Sequence, residues 1–233
     1  MVLTLVDRVV DRRRLRIVTS ERSDGDVHPI RTAPDLLRDR HVAITGAPWW
    51  MVDQVHGTAS ADIDRPALLD DPVVAGIADI QSTDALGAHV AMWAADCAVV
   101  VLMSGSGRLI AVHAGWRGLA AGVLDEAVRR ADSTPIVAAL GPTIHPCCYE
   151  FGEADRSKVA AGVGASVDAV SGRTKAGSSA LDVPAAVSAG LRRHGIELDV
   201  LGPCTGCDER WFSHRVRRDT GRHATIGWME LAP

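Results

Sequence analysis

The sequence predicts one mixed α/β domain in which local hairpins rule out a purely parallel sheet. Three observations predict it. The chain has 233 residues, 47% of them hydrophobic, which is enough for one compact core. Apolar runs rich in Val and Ala are broken by Gly/Ser turn signals, the pattern of paired strands. Elsewhere apolar residues recur with helical spacing.

Residues 2–6 and 15–19 read as strands, and 35–40 as a short helix. The apolar stretch 49–55 reads as a strand that Gly57 breaks, and the polar stretch 57–71, with Pro66, as a loop. Residues 88–102 are nearly continuous apolar sequence, Ser104-Gly105-Ser106-Gly107 is a turn signal, and 109–112 resumes the run, which predicts a β-hairpin. Residues 118–131 place Leu119, Val123, Ala127 and Val128 on one side of a helix. Residues 136–140 form a strand stopped by Gly141-Pro142. Residues 152–163 and 183–194 read as helices, 172–180 as a flexible Gly/Ser loop, and 198–201 as a late strand. No internal repeat and no long linker divides the chain, so residues 1–233 are read as a single domain.

A net charge of −4 and a pI of 6.1 argue against nucleic-acid binding as the main task. No stretch approaches the about 18 apolar residues of a membrane span, and the opening Val2-Leu3-Thr4-Leu5-Val6 meets charge at once, unlike a signal peptide. The expectation is a cytoplasmic enzyme away from membranes, a monomer or small homo-oligomer. Five cysteines, with Cys147 and Cys148 adjacent, argue against a secreted disulfide framework. Lys occurs only at 158 and 175 and Asn is absent, which reads as coding bias but removes Asn as a site residue.

Three segments carry the chemistry: Gln54-Val55-His56-Gly57, Ala95-Asp96-Cys97, and Val112-His113-Ala114-Gly115-Trp116-Arg117-Gly118. Each sets a metal-ligand residue type beside a small residue, in or at the end of an apolar run. Two histidines and one cysteine make three of the four ligands of a tetrahedral zinc, and a position left open is the catalytic pattern. A turn centred near Gly105 sets Cys97 directly opposite His113, with Cβ atoms about 4.5–5.5 Å apart on one face. The helix that follows Arg117 points its free N–H groups near such a metal, a natural anion site. Arg117 is the better anion candidate than Arg215, Arg217, Arg218 and Arg222, which read as a solvated face.

Two further motifs stand out. Cys204-Thr205-Gly206-Cys207 is a CxxC that, with His214 and His223, has the wrong spacing for a standard zinc knuckle, and a loop-stabilising role suits it better. His145-Pro146-Cys147-Cys148-Tyr149-Glu150 follows a strand, either lining a pocket or forming a packed turn.

The three segments occur in order with Leu140-Gly141-Pro142-Thr143-Ile144, Cys148-Tyr149-Glu150-Phe151-Gly152, Phe212-Ser213 and Thr220-Gly221-Arg222. This resembles the YfiH family, also called laccase-domain proteins, polyphenol oxidases, peptidoglycan editing factors and purine nucleoside phosphorylases. The resemblance covers about residues 49–228. It implies layered mixed β-sheets with flanking helices, and a zinc on His56, Cys97 and His113. It further implies phosphorolysis of adenosine, inosine, guanosine and methylthioadenosine, and hydrolytic deamination of adenosine. A purine nucleoside and phosphate are then the expected partners. Gln54, Arg117, Cys148 and Tyr149 are the candidate substrate-binding residues, and Asp96 and Arg117 the candidate catalytic ones.

The chain departs from the family pattern where Ala94 replaces a Thr and where His214-Arg215-Val216-Arg217-Arg218 follows Phe212-Ser213. The family's Asn-containing words in the N-terminal third have no counterpart, with 24–28 and Arg38 or Arg40 as candidate remnants. Asp96 is the candidate acid for deamination, or else a group that orients His56 or His113. Three rivals remain. A copper oxidase would use the same ligands, although the nine histidines contain no His-x-His pair. A metal-free hydrolase in peptidoglycan precursor editing would use Cys97 as nucleophile and His113 as base. A protein that keeps the zinc without turnover is the third.

Overall fold

The structure, a computed structural model, describes residues 2–232. It begins with a hairpin, β1 (Leu3–Val10) and β2 (Arg13–Thr19), turned at Asp11 and Arg12, both at positive φ. Helix α1 (Pro34–Thr45) runs longer than the sequence suggested, from a Pro in its first turn to Gly46 in the left-handed region. Then come β3 (Met51–Asp53), β4 (Ser60–Ile63), β5 (Val74–Ile77) and β6 (Ile80–Thr83); β4 lies within the stretch expected to be a loop.

The apolar run 88–102 is not one arm of a hairpin. It divides into β7 (Val90–Ala94) and β8 (Ala98–Ser104), which belong to different sheets. Strand β9 (Leu109–Ala114) pairs with β8 as expected. The predicted helix over 118–131 is two helices, α2 (Trp116–Ala120) and α3 (Val123–Arg130), parted at Gly122 with φ of 82°. Next are β10 (Pro135–Leu140) and α4 (Glu153–Gly162). The Gly/Ser stretch is a small hairpin, β11 (Ser171–Arg173) with β12 (Ser179–Leu181). The chain closes with α5 (Val183–Arg192), β13 (Val200–Leu201), α6 (His214–Arg217) and β14 (His223–Leu231), the last not foreseen.

A four-stranded sheet has the order β1-β2-β14-β7, and a six-stranded mixed sheet the order β13-β10-β8-β9-β6-β4. Alternate side chains of a strand point to opposite faces, so each long strand feeds two cores. From β8, Val99, Val101 and Met103 meet Leu15, Ile17, Met92 and Met229 between the sheets. Its Ala98, Val100 and Leu102 face the other way, against Leu119, Leu124, Val159, Val187 and Leu191 of the helices. On the far side of the four-stranded sheet, Val18, Ala91, Ile226 and Trp228 pack with Leu37 of α1 and with Trp49 and Met51. The order of layers is helix, sheet, sheet, helices. Among the described residues no helix is long and apolar enough to cross a membrane.

Candidate metal centre

The three residues Ala95, Asp96 and Cys97 are the crossing between the two sheets. Asp96 takes a φ of +96°, a backbone conformation rare outside glycine, and this turns the chain from β7 into β8. The strain is held by bonds on both sides of the residue. The Asp96 carbonyl accepts from Thr143 Oγ1 at 2.7 Å and Ile144 N at 2.9 Å. Its carboxylate accepts from Thr205 Oγ1 and Ser213 Oγ, both at 2.7 Å, and from Arg215 N at 2.6 Å.

The register of β8 with β9 pairs Val99 with His113, and Ala98 with Ala114. Cys97 therefore lies diagonal to His113 rather than directly opposite. The turn is centred on Ser106, one residue later than expected, and closes from Ser104 to Arg108. The shift is by an even number of positions, so both side chains keep to one face. The position across from Cys97 falls to Gly115. A Cβ there would stand 2.4 Å from His56 Nδ1 and 3.3 Å from Cys97 Sγ. Gly115 thus makes room for the other two groups.

His56 comes from the end of the β3 segment, at a φ of +60°. Asp79, just before β6, holds it and His113 together. The buried Asp79 carboxylate accepts from the N–H groups of Val55 at 3.2 Å, His56 at 3.0 Å and Gly57 at 2.6 Å, and from His113 Nδ1 at 2.8 Å. Burial opposes its charge, but the bonds from His113 and the backbone outweigh burial and hold its pKa below the ordinary carboxylate range. Burial also opposes a charge on His113. There the Asp79 and Cys97 contacts win and raise its pKa to about 9. His56 is lowered, by burial and by the neighbouring His113. The orienting carboxylate is Asp79, not Asp96. A lone Asp between apolar Ala78 and Ile80 was the available signal for it.

The three ligand atoms of His56, Cys97 and His113 lie within 4.8 Å of one another. His113 Nδ1 is committed to Asp79, which leaves the other ring nitrogen to face the Cys97 thiol. His56 Nδ1 is buried without a hydrogen-bond partner. A buried imidazole nitrogen left unpaired beside a thiol and a second imidazole is what a metal would satisfy, so these residues fit a divalent ion. Among the described residues the only other group of three or more such ligands is the four-cysteine cluster formed by Cys147, Cys148, Cys204 and Cys207. Among the described residues no group of histidines suited to a trinuclear copper cluster accompanies them.

The centre borders a cavity of about 230 Å³ whose walls include Trp93, Asp96, Tyr149, Arg215 and Arg222. Gln54 lies on its wall with both ends of its amide bonded to the Trp93 backbone, at 2.8 and 2.9 Å. Burial pushes Tyr149 up to about 12, and the Arg215 guanidinium lies 4.8 Å over its ring. The His28 ring, from the N-terminal third, packs 4.5 Å from Trp93. Arg215 and Arg222, read from sequence as a solvated face, thus line the cavity. Arg117 and Cys148 do not: Arg117 is exposed with its guanidinium 4.4 Å over Trp116, and Cys148 turns to other sulfurs. A larger open depression of about 550 Å³ has Asp62, Asp84 and Arg108 on its walls, already paired with one another, and holds no histidine or cysteine.

A sequence model described as multi-copper polyphenol oxidoreductase laccase matches residues 26–230. A purine nucleoside phosphorylase of Streptomyces coelicolor is 40% identical over 188 residues, 78% of this chain and 74% of its own. One of Xylella fastidiosa is 37% identical over 203 residues, 82% of this chain and 77% of its own. The crystal structure of a Neisseria meningitidis protein superposes with a TM-score of 0.76 at 23% identity, covering 98% of this chain and 99% of that one. YfiH of Bacillus licheniformis, described as a hypothetical protein, gives a TM-score of 0.74 at 21% identity, covering 93% and 92%.

Proposed function

The chain belongs to this laccase-like family, with the YfiH fold, and we propose that it is a metal-dependent purine nucleoside phosphorylase. The observation that carries the reading is the meeting of His56, Cys97 and His113 at a cavity walled by aromatic rings and arginines. The names of the matched relatives point the same way.

In phosphorolysis an oxygen of phosphate bonds to the anomeric carbon of the ribose. The bond to the purine nitrogen breaks, and the base leaves with a proton. A zinc held by His56, Cys97 and His113 would supply an electrophilic centre. Asp79 keeps His113 turned with Nε2 towards that centre. Trp93 and Tyr149 offer flat apolar walls for a purine. Arg215 and Arg222 supply positive charge for phosphate on the wall itself. Arg117 adds positive charge from outside it, which disfavours a charge on His56. Asp96 acts as a positioning residue, since its carboxylate ties down the Ser213–Arg215 turn with two bonds and the Thr205 hydroxyl with a third. Deamination of adenosine at the same centre would ask Asp96 to give up those bonds, so phosphorolysis is the primary reaction in this reading.

The test is protein of measured metal content incubated with adenosine, with and without phosphate, and the products separated by chromatography. Adenine that forms only with phosphate is the expected result; inosine reports deamination. No product from zinc-saturated protein on adenosine, inosine, guanosine or methylthioadenosine would overturn the reading. Two histidines and a cysteine are also a copper donor set. Oxidation of a phenol by the copper-loaded protein, with no phosphorolysis by the zinc-loaded one, would move the assignment there.

A further inference from the structure

We propose a second metal site, built from Cys147, Cys148, Cys204 and Cys207, that takes a single zinc ion as a structural tetrathiolate. It is independent of the centre at His56, Cys97 and His113.

The two pairs are more than fifty positions apart in sequence and meet in space. The Cys147 sulfur lies 3.7 Å from Cys148, 3.7 Å from Cys204 and 3.5 Å from Cys207, and Cys148 lies 3.5 Å from Cys207. All four sulfurs fall within 4.8 Å of one another. A zinc with Zn–S bonds of about 2.3 Å puts its four sulfurs about 3.8 Å apart at the corners of a tetrahedron. These four spacings are within a few tenths of an ångström of that edge. They are far longer than the about 2.05 Å of a disulfide bond, and all four cysteines are free thiols. They are too tight to surround an iron–sulfur cluster, whose own inorganic atoms must fit between the ligands.

The surroundings suit a charged tetrathiolate. His145 N–H points at the Cys204 sulfur at 3.4 Å. The ammonium of Lys175, one of two lysines in the chain, sets its positive charge beside the Cys207 sulfur, and Lys175 N donates to the Cys147 carbonyl at 3.0 Å. Cys204 carbonyl accepts from both Cys207 N and Asp208 N, folding the CxxC into a tight turn. Gly206 is needed there: a Cβ would stand 2.7 Å from Cys148 Cβ and 2.9 Å from its sulfur. The cluster does not border the cavity. Four like donors with no position left for a substrate make a staple rather than a catalyst. It joins the turn before Tyr149 to the loop leading into Arg215.

The experiment is metal analysis of reduced protein equilibrated with Zn²⁺ and freed of excess. Wild type is expected to hold two equivalents per chain, Cys97→Ala one, and the double variant Cys204→Ser/Cys207→Ser one. Should the double variant not fold, Co²⁺-loaded Cys97→Ala protein carries the test, with the strong sulfur-to-cobalt and tetrahedral bands of a tetrathiolate expected. Cys97→Ala protein that holds no metal, shows no such bands with Co²⁺ and has four freely titrating thiols would overturn the proposal. That result leaves the purine reading untouched, because phosphorolysis is scored on wild type.

Discussion

At His56, Cys97 and His113, three donors of two kinds arrive from three segments and meet beside a cavity. At Cys147, Cys148, Cys204 and Cys207, four donors of one kind arrive from two loops and close on themselves. The first group is backed by a buried carboxylate that fixes a histidine ring; the second has a lysine and one N–H at its rim. The difference teaches how ligand number and surroundings divide the work. An incomplete ligand set needs rigid support to stay open, whereas a complete set supports itself.

The largest effect that separates the two regions is expected from Cys97→Ala. Activity should fall below detection, one metal equivalent should vanish, and the thermal midpoint should stay close to wild type. Metal analysis beside a melting curve checks this, and a variant that keeps full metal and turnover would sink the site. Gly115→Ala comes next. Its methyl would press on His56 Nδ1, with a loss of about 100-fold in turnover as for an ångström-scale misplacement. A steady-state assay reads it, and wild-type rates would show that the close approach is relieved elsewhere.

Asp79→Asn should weaken metal binding about 10- to 100-fold, the usual cost of removing a carboxylate behind a histidine ligand. It should leave the cysteine cluster's metal in place, which competition with a coloured chelator resolves. Arg215→Ala should keep both metals and raise the phosphate KM about 10-fold, with Arg117→Ala smaller in the same direction. An unchanged phosphate KM in Arg215→Ala would remove Arg215 from the phosphate contacts.

One further effect belongs to neither region. Burial lowers the pKa of His41 and of His223 to about 3 in the folded protein. The unfolded chain binds those protons at about 6.5, so it holds more protons than the folded state below that pH. Stability is therefore complete above about pH 6.5 and falls with acidification towards pH 3, by up to about 1.4 kcal/mol per group per pH unit. Denaturant midpoints between pH 7 and pH 5 measure it. A flat profile would mean that these rings are not kept neutral.

The candidate ligands at 56, 97 and 113, which the fold brings together, were legible because each sits in a short word of unusual composition. The sheet crossing was not, because β7 and β8 are equally apolar and only the backbone turn at Asp96 tells them apart. Arg215 and Arg222 were missed for a related reason. A charge run gives no sign of which of its members a later turn will bend inward. The four cysteines were visible as two separate motifs, and the CxxC was weighed only with His214 and His223 nearby in sequence, whose spacing argued against a zinc knuckle. Residue His223 is buried and His214 is exposed, while the true neighbours come from the far side of α4, α5 and the hairpin between. Strand β14 was hidden by its mixture of polar and apolar residues, since it serves two cores at once.

The passage at Asp96 has one more consequence. Cys97 rides on one sheet and Trp93 on the other, a few residues apart, with the core between the sheets filling the gap behind them. The spacing of donors is thereby a gauge of how the two halves of the sandwich are seated. A slight loosening of Met92 against Val99 and Val101 would be felt as a change in affinity for the ion long before the chain came apart. Selection on catalysis in such a molecule acts on its deep packing as well as on its ligands.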